Sequence, residues 1–299
     1  GRGCRWAFTG ERDRALRIAM QDVEAAGAAE PESWVSPRSW VPQWVGTLGT
    51  FPPVVIDVGM GYTKAGFAGM SSPTVLLANM VLMGHTTLVD QGLFTDDVDL
   101  MEDFMRRAVF GALGVDPRRH AVVLCLSLFQ KHGTTDVQYA ERVQLAERCL
   151  TGRLGVPSVC SVHSAVLALL GRGLHTGVVV DIGLGMTKVT PVVRGAVCRE
   201  GVCVEYIGAA NCTNYLLEVF RRMSYEEELA VPEEITGFQA MMLMKHTKEA
   251  DGYVAASRDE ALGAEKRTVE ALSAALQHRV SLGSELALVG ELFFSPHFT

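Results

Sequence analysis

Two eleven-residue segments of this 299-residue chain hold the residue types best suited to chemistry. Residues 54–64 read VVIDVGMGYTK and residues 178–188 read VVVDIGLGMTK, with seven of the eleven positions identical. The other four are apolar or aromatic in both. In each, an apolar β-branched run delivers an aspartate, Asp57 or Asp181, and a Gly-x-Gly turn follows. Gly59, Gly61, Gly183 and Gly185 let the chain turn tightly, because no Cβ obstructs the backbone. The backbone N–H groups of such a turn can converge on phosphate oxygens as an anion nest. Met60, Tyr62, Leu184 and Met186 complete the two turns. Two such hairpins would grip one triphosphate. Asp57 and Asp181 would then face a hydrated Mg²⁺ or Ca²⁺, because hard cations take carboxylate and water oxygens. Lys64 could neutralise phosphate charge, whereas Lys188 reads as an ordinary strand residue. A single Asp-x-Gly-x-Gly is more often a plain β-hairpin. Its repetition, each time followed by Thr-Lys, favours a nucleotide cleft formed by two related domains.

The elements that must position these residues alternate between strand and helix. Strands are expected at Val54–Asp57, Tyr62–Gly69, Ala121–Leu126, Ser158–Val162, Gly177–Asp181, Thr187–Val193 and Gly252–Ala256. Helices are expected at Asp97–Leu113, Val137–Leu150, Ser164–Leu170, Asn211–Met223 and Glu233–Lys248, with a charged helix over Asp259–Gln277. On the first helix, Leu100, Phe104, Ala108 and Leu113 form the apolar face. This alternation places the chain in the α/β class.

Residues 1–52 differ in texture. They carry all four tryptophans and four prolines, and read as a poorly structured leader with a short amphipathic helix over Glu11–Ala28. The rival reading is a partner-binding arm, since exposed tryptophans favour interfaces. The net charge is -7 with mixed signs, which argues against a nucleic-acid partner. The longest apolar stretches, Ser161–Leu170 and Val178–Val180, fall far short of the roughly 20 residues of a membrane span. The seven cysteines show no CxxC spacing and read as reduced thiols rather than a zinc site. His163 beside Ser164 invites a hydrolase reading, but adjacent helical positions point in different directions.

From these motifs the chain resembles the actin and actin-related family. Residues 55–69, ending in the AGFAG run 65–69, look like the family's first phosphate hairpin and the strand after it. Residues 164–195 look like the second hairpin with its preceding helix. Thr247-Lys248-Glu249 and Tyr253-Val254-Ala255 look like the adenine-side segment, which makes Lys248 and Glu249 cofactor-binding candidates. The resemblance covers about residues 53–299. It implies an actin-like ATPase fold of the duplicated ribonuclease-H-like kind, binding ATP or ADP with Mg²⁺ or Ca²⁺. The expected organisation is a leader over 1–52, a first actin-like domain over 53–161 and a second over 162–299.

Departures from the family pattern shape the expected function. Val81–Thr87 runs almost straight into the segment at Leu88, so the small DNase-loop-type subdomain reads as deleted. The chain stops at Thr299, and the family's C-terminal third reads as missing. Met60 and Leu184 stand where the family has polar or acidic turn residues. Ser164 stands at the water-positioning glutamine, a weak catalytic candidate, and Lys188 at a nearby histidine. The expectation is therefore an actin-like cytoskeletal, structural or adaptor protein with a residual or vestigial ATP cleft. It is not expected to form conventional filaments, and protein partners should cover its exposed apolar surface. The expected location is the cytoplasm and cytoskeleton, with the nucleus as the other option. The alternatives are an active ATPase and, behind it, a small-molecule kinase of the same superfold.

Overall fold

The computed structural model describes residues 51–78, 89–90, 93–126, 136–226, 237–265, 267–270 and 279–294. The expected leader up to residue 50, its helix Glu11–Ala28 and the Val81–Thr87 junction lie outside the described residues. The chain divides into two compact units. The first takes residues up to Asp181 together with Lys188–Val204, and the second takes Ile182–Thr187 with Glu205–Thr299.

The first unit is built on a five-stranded sheet. Strands β1 (Val54–Val58), β2 (Tyr62–Phe67) and β3 (Val75–Ala78) form an antiparallel meander. Two short strands, β4 (Val89–Asp90) and β5 (Leu93–Phe94), pair with each other. Helix α1 (Val98–Asp103) starts on Asp97, whose carboxylate accepts the Leu100 amide at 2.9 Å. It continues through π-type turns at Phe104–Phe110 and a last α-turn at Gly111–Leu113. The wider turns rotate the apolar stripe. Met101, Phe104, Met105, Val109 and Phe110 are therefore the buried residues, while Leu100, Ala108 and Leu113 pack at its margin. Strand β6 (Val122–Leu126) and strand β7 (Val159–His163) then join β1 in parallel, giving the order β3-β2-β1-β6-β7. Parallel pairing needs a crossover, and helix α2 (Asp136–Arg148) supplies the one between β6 and β7.

Ile56, Leu124, Met101, Met105, Phe110 and Leu150 fill the core between sheet and helices. Arg153 ties this layer from outside, bonding Asp99 and Glu102, while Arg106 bonds Glu102 and the Arg153 carbonyl. Helix α3 (Ser164–Leu170) follows β7 directly. Ala165 and Leu169 on α3 pack against Val192 and Val179 of the next sheet. That sheet comprises β8 (Gly177–Ile182), β9 (Thr187–Val193), β10 (Ala196–Val197) and β11 (Cys203–Glu205), with β9 pairing the other three.

The second unit is mostly helical. Helices α4 (Ala209–Glu226) and α5 (Gly237–Asp251) pack through Leu216, Phe220, Leu243 and Met244. Helix α6 (Arg258–Leu262) is capped by the Ser257 hydroxyl. A hairpin of β12 (Arg267–Glu270) and β13 (Arg279–Leu282) leads to α7 (Ser284–Glu291), whose Leu286 and Val289 close this core.

Two sequence expectations are corrected. Gly252–Ala256 is not a strand; the Tyr253 amide instead bonds the Leu286 carbonyl of α7 at 3.3 Å. The charged helix over Asp259–Gln277 ends at Leu262, and Arg267–Glu270 pairs with Arg279–Leu282. Charge periodicity favoured the helix, but nonlocal strand pairing outweighs local preference. The cysteines at 125, 149, 160, 198, 203 and 212 are all free thiols. Leu124 is fully buried at the centre of the first core. Leu124→Ala should lower unfolding free energy by about 2–5 kcal/mol, measured by urea denaturation.

Candidate functional site

The parallel strands of the first unit end together, and their carboxyl ends carry the chemistry. Asp57 near the end of β1 lies in register with Cys125 of β6, and Cys125 with Val162 of β7; His163 is the last residue of β7. Ligands of open α/β sheets gather outside the carboxyl ends of such strands. Burial pushes the Cys125 thiol up to about 12, helped by the charge of Asp57 and a hydrogen bond to it. Lys64 and Lys188 oppose that rise, so the charges of both repeat segments are felt at this one thiol. All these residues belong to the first unit.

The two repeats have the same geometry. The Gly59 amide donates to the Tyr62 carbonyl at 3.0 Å, and the Gly183 amide to the Met186 carbonyl at 2.9 Å. A Cβ at Gly59 would stand 2.9 Å from the Tyr62 oxygen, and one at Gly183 would stand 3.1 Å from the Met186 oxygen. The first turn thus requires its glycine, and in the second a Cβ fits only if the Met186 carbonyl gives by a few tenths of an ångström. Outside strands and helices, no backbone bond among the described residues is donated by the amides of Met60, Gly61, Leu184 or Gly185. Two neighbouring amides in each turn are therefore available to an anion, which fits a phosphate-bearing ligand. Met60 packs its side chain against the first core, so its apolar character anchors the turn. Met186 is buried, and Leu184 and Tyr62 are half-buried.

Each aspartate is paired across its hairpin. Lys64 Nζ bonds Asp57 Oδ2 at 3.2 Å, and Lys188 Nζ lies 3.0 Å from Asp181 Oδ2. The lysines differ in setting: the Lys64 side chain is 53% exposed and the Lys188 side chain 12%. Lys188 was read from sequence as an ordinary strand residue. Nothing local in the sequence marks out its low exposure or its pairing with Asp181.

In the second unit, the turn at residues 183–186 is braced by the start of α4. The Ala209 and Ala210 amides donate to the Gly183 and Leu184 carbonyls at 2.9 and 2.7 Å. Thr187 Oγ1 donates to the Ile207 carbonyl at 2.7 Å. Gly208 sits where these segments touch, and a Cβ there would lie 2.5–2.7 Å from three backbone atoms of the turn. Sequence reading missed Gly208, because the contact joins residues far apart in the chain. Lys248 Nζ bonds the Ala209 carbonyl at 2.9 Å and Thr213 Oγ1 at 3.0 Å, bracing this same helix start. Its burial lowers its pKa below the ordinary lysine value. Glu249 lies on the outer side of α5, 3.9 Å from Lys245 Nζ.

Ser164 is the half-buried first residue of α3. His163 before it is the N-cap, and its Nδ1 accepts the Ala165 amide at 3.0 Å. That bond needs an unprotonated Nδ1. Burial, aided by the positive charge of Lys188 and opposed by Asp181, lowers the His163 pKa to about 4.

The mixed five-stranded sheet and the duplicated hairpins define an actin-like α/β protein. A family model described as Actin matches residues 82–268, more than half of the chain, and the protein belongs to the actin family. It is 26% identical to Actin-related protein 3 of Drosophila melanogaster over 304 residues, which cover 84% of this chain and 68% of that protein. It is also 26% identical to Actin-related protein 8 of Arabidopsis thaliana over 245 residues, covering 81% of this chain and 48% of the relative. The Actin-related protein 8 of Oryza sativa subsp. indica is 26% identical over 248 residues, covering 81% and 46%. The chain thus spans about half the length of these last two relatives.

Two outcomes follow from this geometry. Gly208→Ala should lower the melting temperature by several degrees, because backbone has to move to admit the Cβ; thermal unfolding followed by circular dichroism checks it. For His163, the folded pKa lies below the unfolded value, so the unfolded chain takes the proton first. Stability should be full above about pH 6.5 and fall as the pH drops toward 4. His163→Asn keeps a capping oxygen and should flatten that part of the curve of melting temperature against pH.

Proposed function

We propose that this chain is an actin-like structural or adaptor protein that retains a phosphate-binding cradle and works through protein partners. The observation that carries the nucleotide half is the duplicated turn, with two available amides in each copy and one lysine–aspartate pair behind each. Proteins of this family generally bind ATP or ADP with a divalent metal, and each turn by itself offers backbone amides that suit a phosphate. These amides are those of Met60 and Gly61 in the first unit and those of Leu184 and Gly185 in the second. Lys64, half-exposed on β2, would bridge Asp57 and a phosphate oxygen. Asp57 and Asp181 are the residues the family resemblance offers to a hydrated cation, but each is engaged by a lysine, at 3.2 and 3.0 Å, and so does not fit one. Lys248 with Glu249 would serve the base-side segment through α4 and α5.

The hydrolytic half is weaker. Ser164 stands behind a histidine committed to capping, and that histidine is neutral near pH 7. A serine hydroxyl can orient a water, but the Nδ1 of its neighbour His163 is engaged by the Ala165 amide and is not the base that a hydrolytic step needs. The reading is a protein that binds nucleotide without appreciable turnover. An active ATPase of the superfamily is the second reading, and it rests on the intact turn geometry.

Partners are expected on the outer face of β8. Val178, Val180 and Ile182 alternate there at 43%, 59% and 56% exposure, an apolar row with no cover among the described residues. Such a row suits other proteins of a cytoskeletal or actin-related assembly, in the cytoplasm or the nucleus. Among the described residues, no helix is long and apolar enough to cross a membrane.

Titration calorimetry with ATP tests the nucleotide reading. The wild-type chain should bind, and Lys64→Ala should bind about tenfold more weakly with an unchanged circular-dichroism spectrum. A folded wild-type chain that takes up no ATP would falsify it.

A further inference from the structure

The two carboxylates that would face a cation are already charge-compensated. Asp57 and Asp181 contribute two negative charges, and Lys64 and Lys188 contribute two positive ones within ion-pair distance. The two lysines are not equivalent. Lys64 is half-exposed on a flexible stem and can move to a ligand, whereas Lys188 keeps only 12% of its side-chain exposure. With so little of its side chain exposed, Lys188 has less room than Lys64 to leave its aspartate, whose own side chain is 46% exposed.

The place of Lys188 also matters. Its charge is felt at His163, at the end of β7, and at Cys125, whose other charged neighbours are Asp57 and Lys64. Lys188 therefore stands among the carboxyl ends of the parallel strands, close to both repeat segments and within the first unit. A divalent cation brought to Asp181 would meet a carboxylate engaged with an ammonium and would be repelled by that ammonium. Hard cations need carboxylate and water oxygens and gain nothing from an amine nitrogen that is protonated.

We infer that Lys188 neutralises the carboxylate that a divalent cation would otherwise neutralise, so that this chain binds a nucleoside triphosphate without Mg²⁺ or Ca²⁺. The inference rests on the nucleotide reading above. With Lys188 on Asp181, that carboxylate neither repels the phosphates nor draws a cation. Lys64, whose ammonium has three donors, keeps Asp57 and bridges it to a phosphate oxygen.

The test uses the full chain and ATP, titrated once with Mg²⁺ and once with EDTA. The expected result is an affinity that agrees within about threefold between the two buffers. Lys188→Gln should weaken binding in EDTA by about tenfold or more, and Mg²⁺ should restore it. Lys188→Arg keeps the charge and should keep the cation-independent binding. Mn²⁺ alone, followed by electron paramagnetic resonance, should stay free with wild type and bind to Lys188→Gln. Wild-type affinity that collapses in EDTA overturns the inference and leaves the nucleotide reading standing, as does Mn²⁺ uptake by wild type. A folded wild type that binds ATP in neither buffer overturns both. A Lys188→Gln chain with wild-type melting behaviour and unchanged affinity in EDTA overturns the role of Lys188.

Discussion

The parallel register of β1, β6 and β7 is the constraint on which the rest of the first unit depends. Pairing Asp57 with Cys125, and Cys125 with Val162, brings three strand ends to one level. Each end then contributes one polar side chain: a carboxylate, a thiol and an imidazole. The crossover helix α2 makes that register possible, and the fully buried Ile56 and Leu124 hold it, because a one-residue slip would turn them away from the core. The polar ends can be chemically demanding because the strands beneath them are not.

The cost of that arrangement shows in its titratable groups. Cys125 stays a thiol and His163 stays a neutral base, each pushed that way first by burial. A neutral His163 is what the N-cap of α3 requires, since only a bare Nδ1 accepts the Ala165 amide. Lys188 helps to keep it neutral. One lysine thus serves an ion pair in the hairpin and, through its charge, the neutral cap at the end of β7. This coupling explains why a residue that looks ordinary in isolation is central to the site.

What could be read from sequence was whatever is local in the chain. Both hairpins were legible to within two residues at their strand ends, because a Gly-x-Gly turn after an apolar strand is decided by adjacent residues, and its duplication strengthened the reading of a single motif. Helix α3 and strand β9 have the bounds expected for them, Ser164–Leu170 and Thr187–Val193. What depends on distant residues was not legible. Gly208 is required by the backbone of the turn at 183–186, Lys188 is only 12% exposed beside Asp181, and β12 is a strand only because β13 pairs with it. The π-type turns of α1 belong here too, since the stripe they rotate is chosen by the sheet it covers.

The turns also show how a cradle can outlast the ligand chemistry it resembles. Met60 holds the first turn by packing on the core, and α4 holds the second through Ala209, Ala210 and Gly208. Contacts within the protein thus support both turns, at the side chain of Met60 and at the carbonyls of Gly183 and Leu184. Preorganisation lowers the ordering cost of binding, but it does not by itself move a proton or place a water. On the proposed reading, binding and turnover therefore separate physically. The backbone that would recognise an anion is braced from behind, while Met60 and Leu184 in the turns are apolar and His163 is committed to capping at the end of β7.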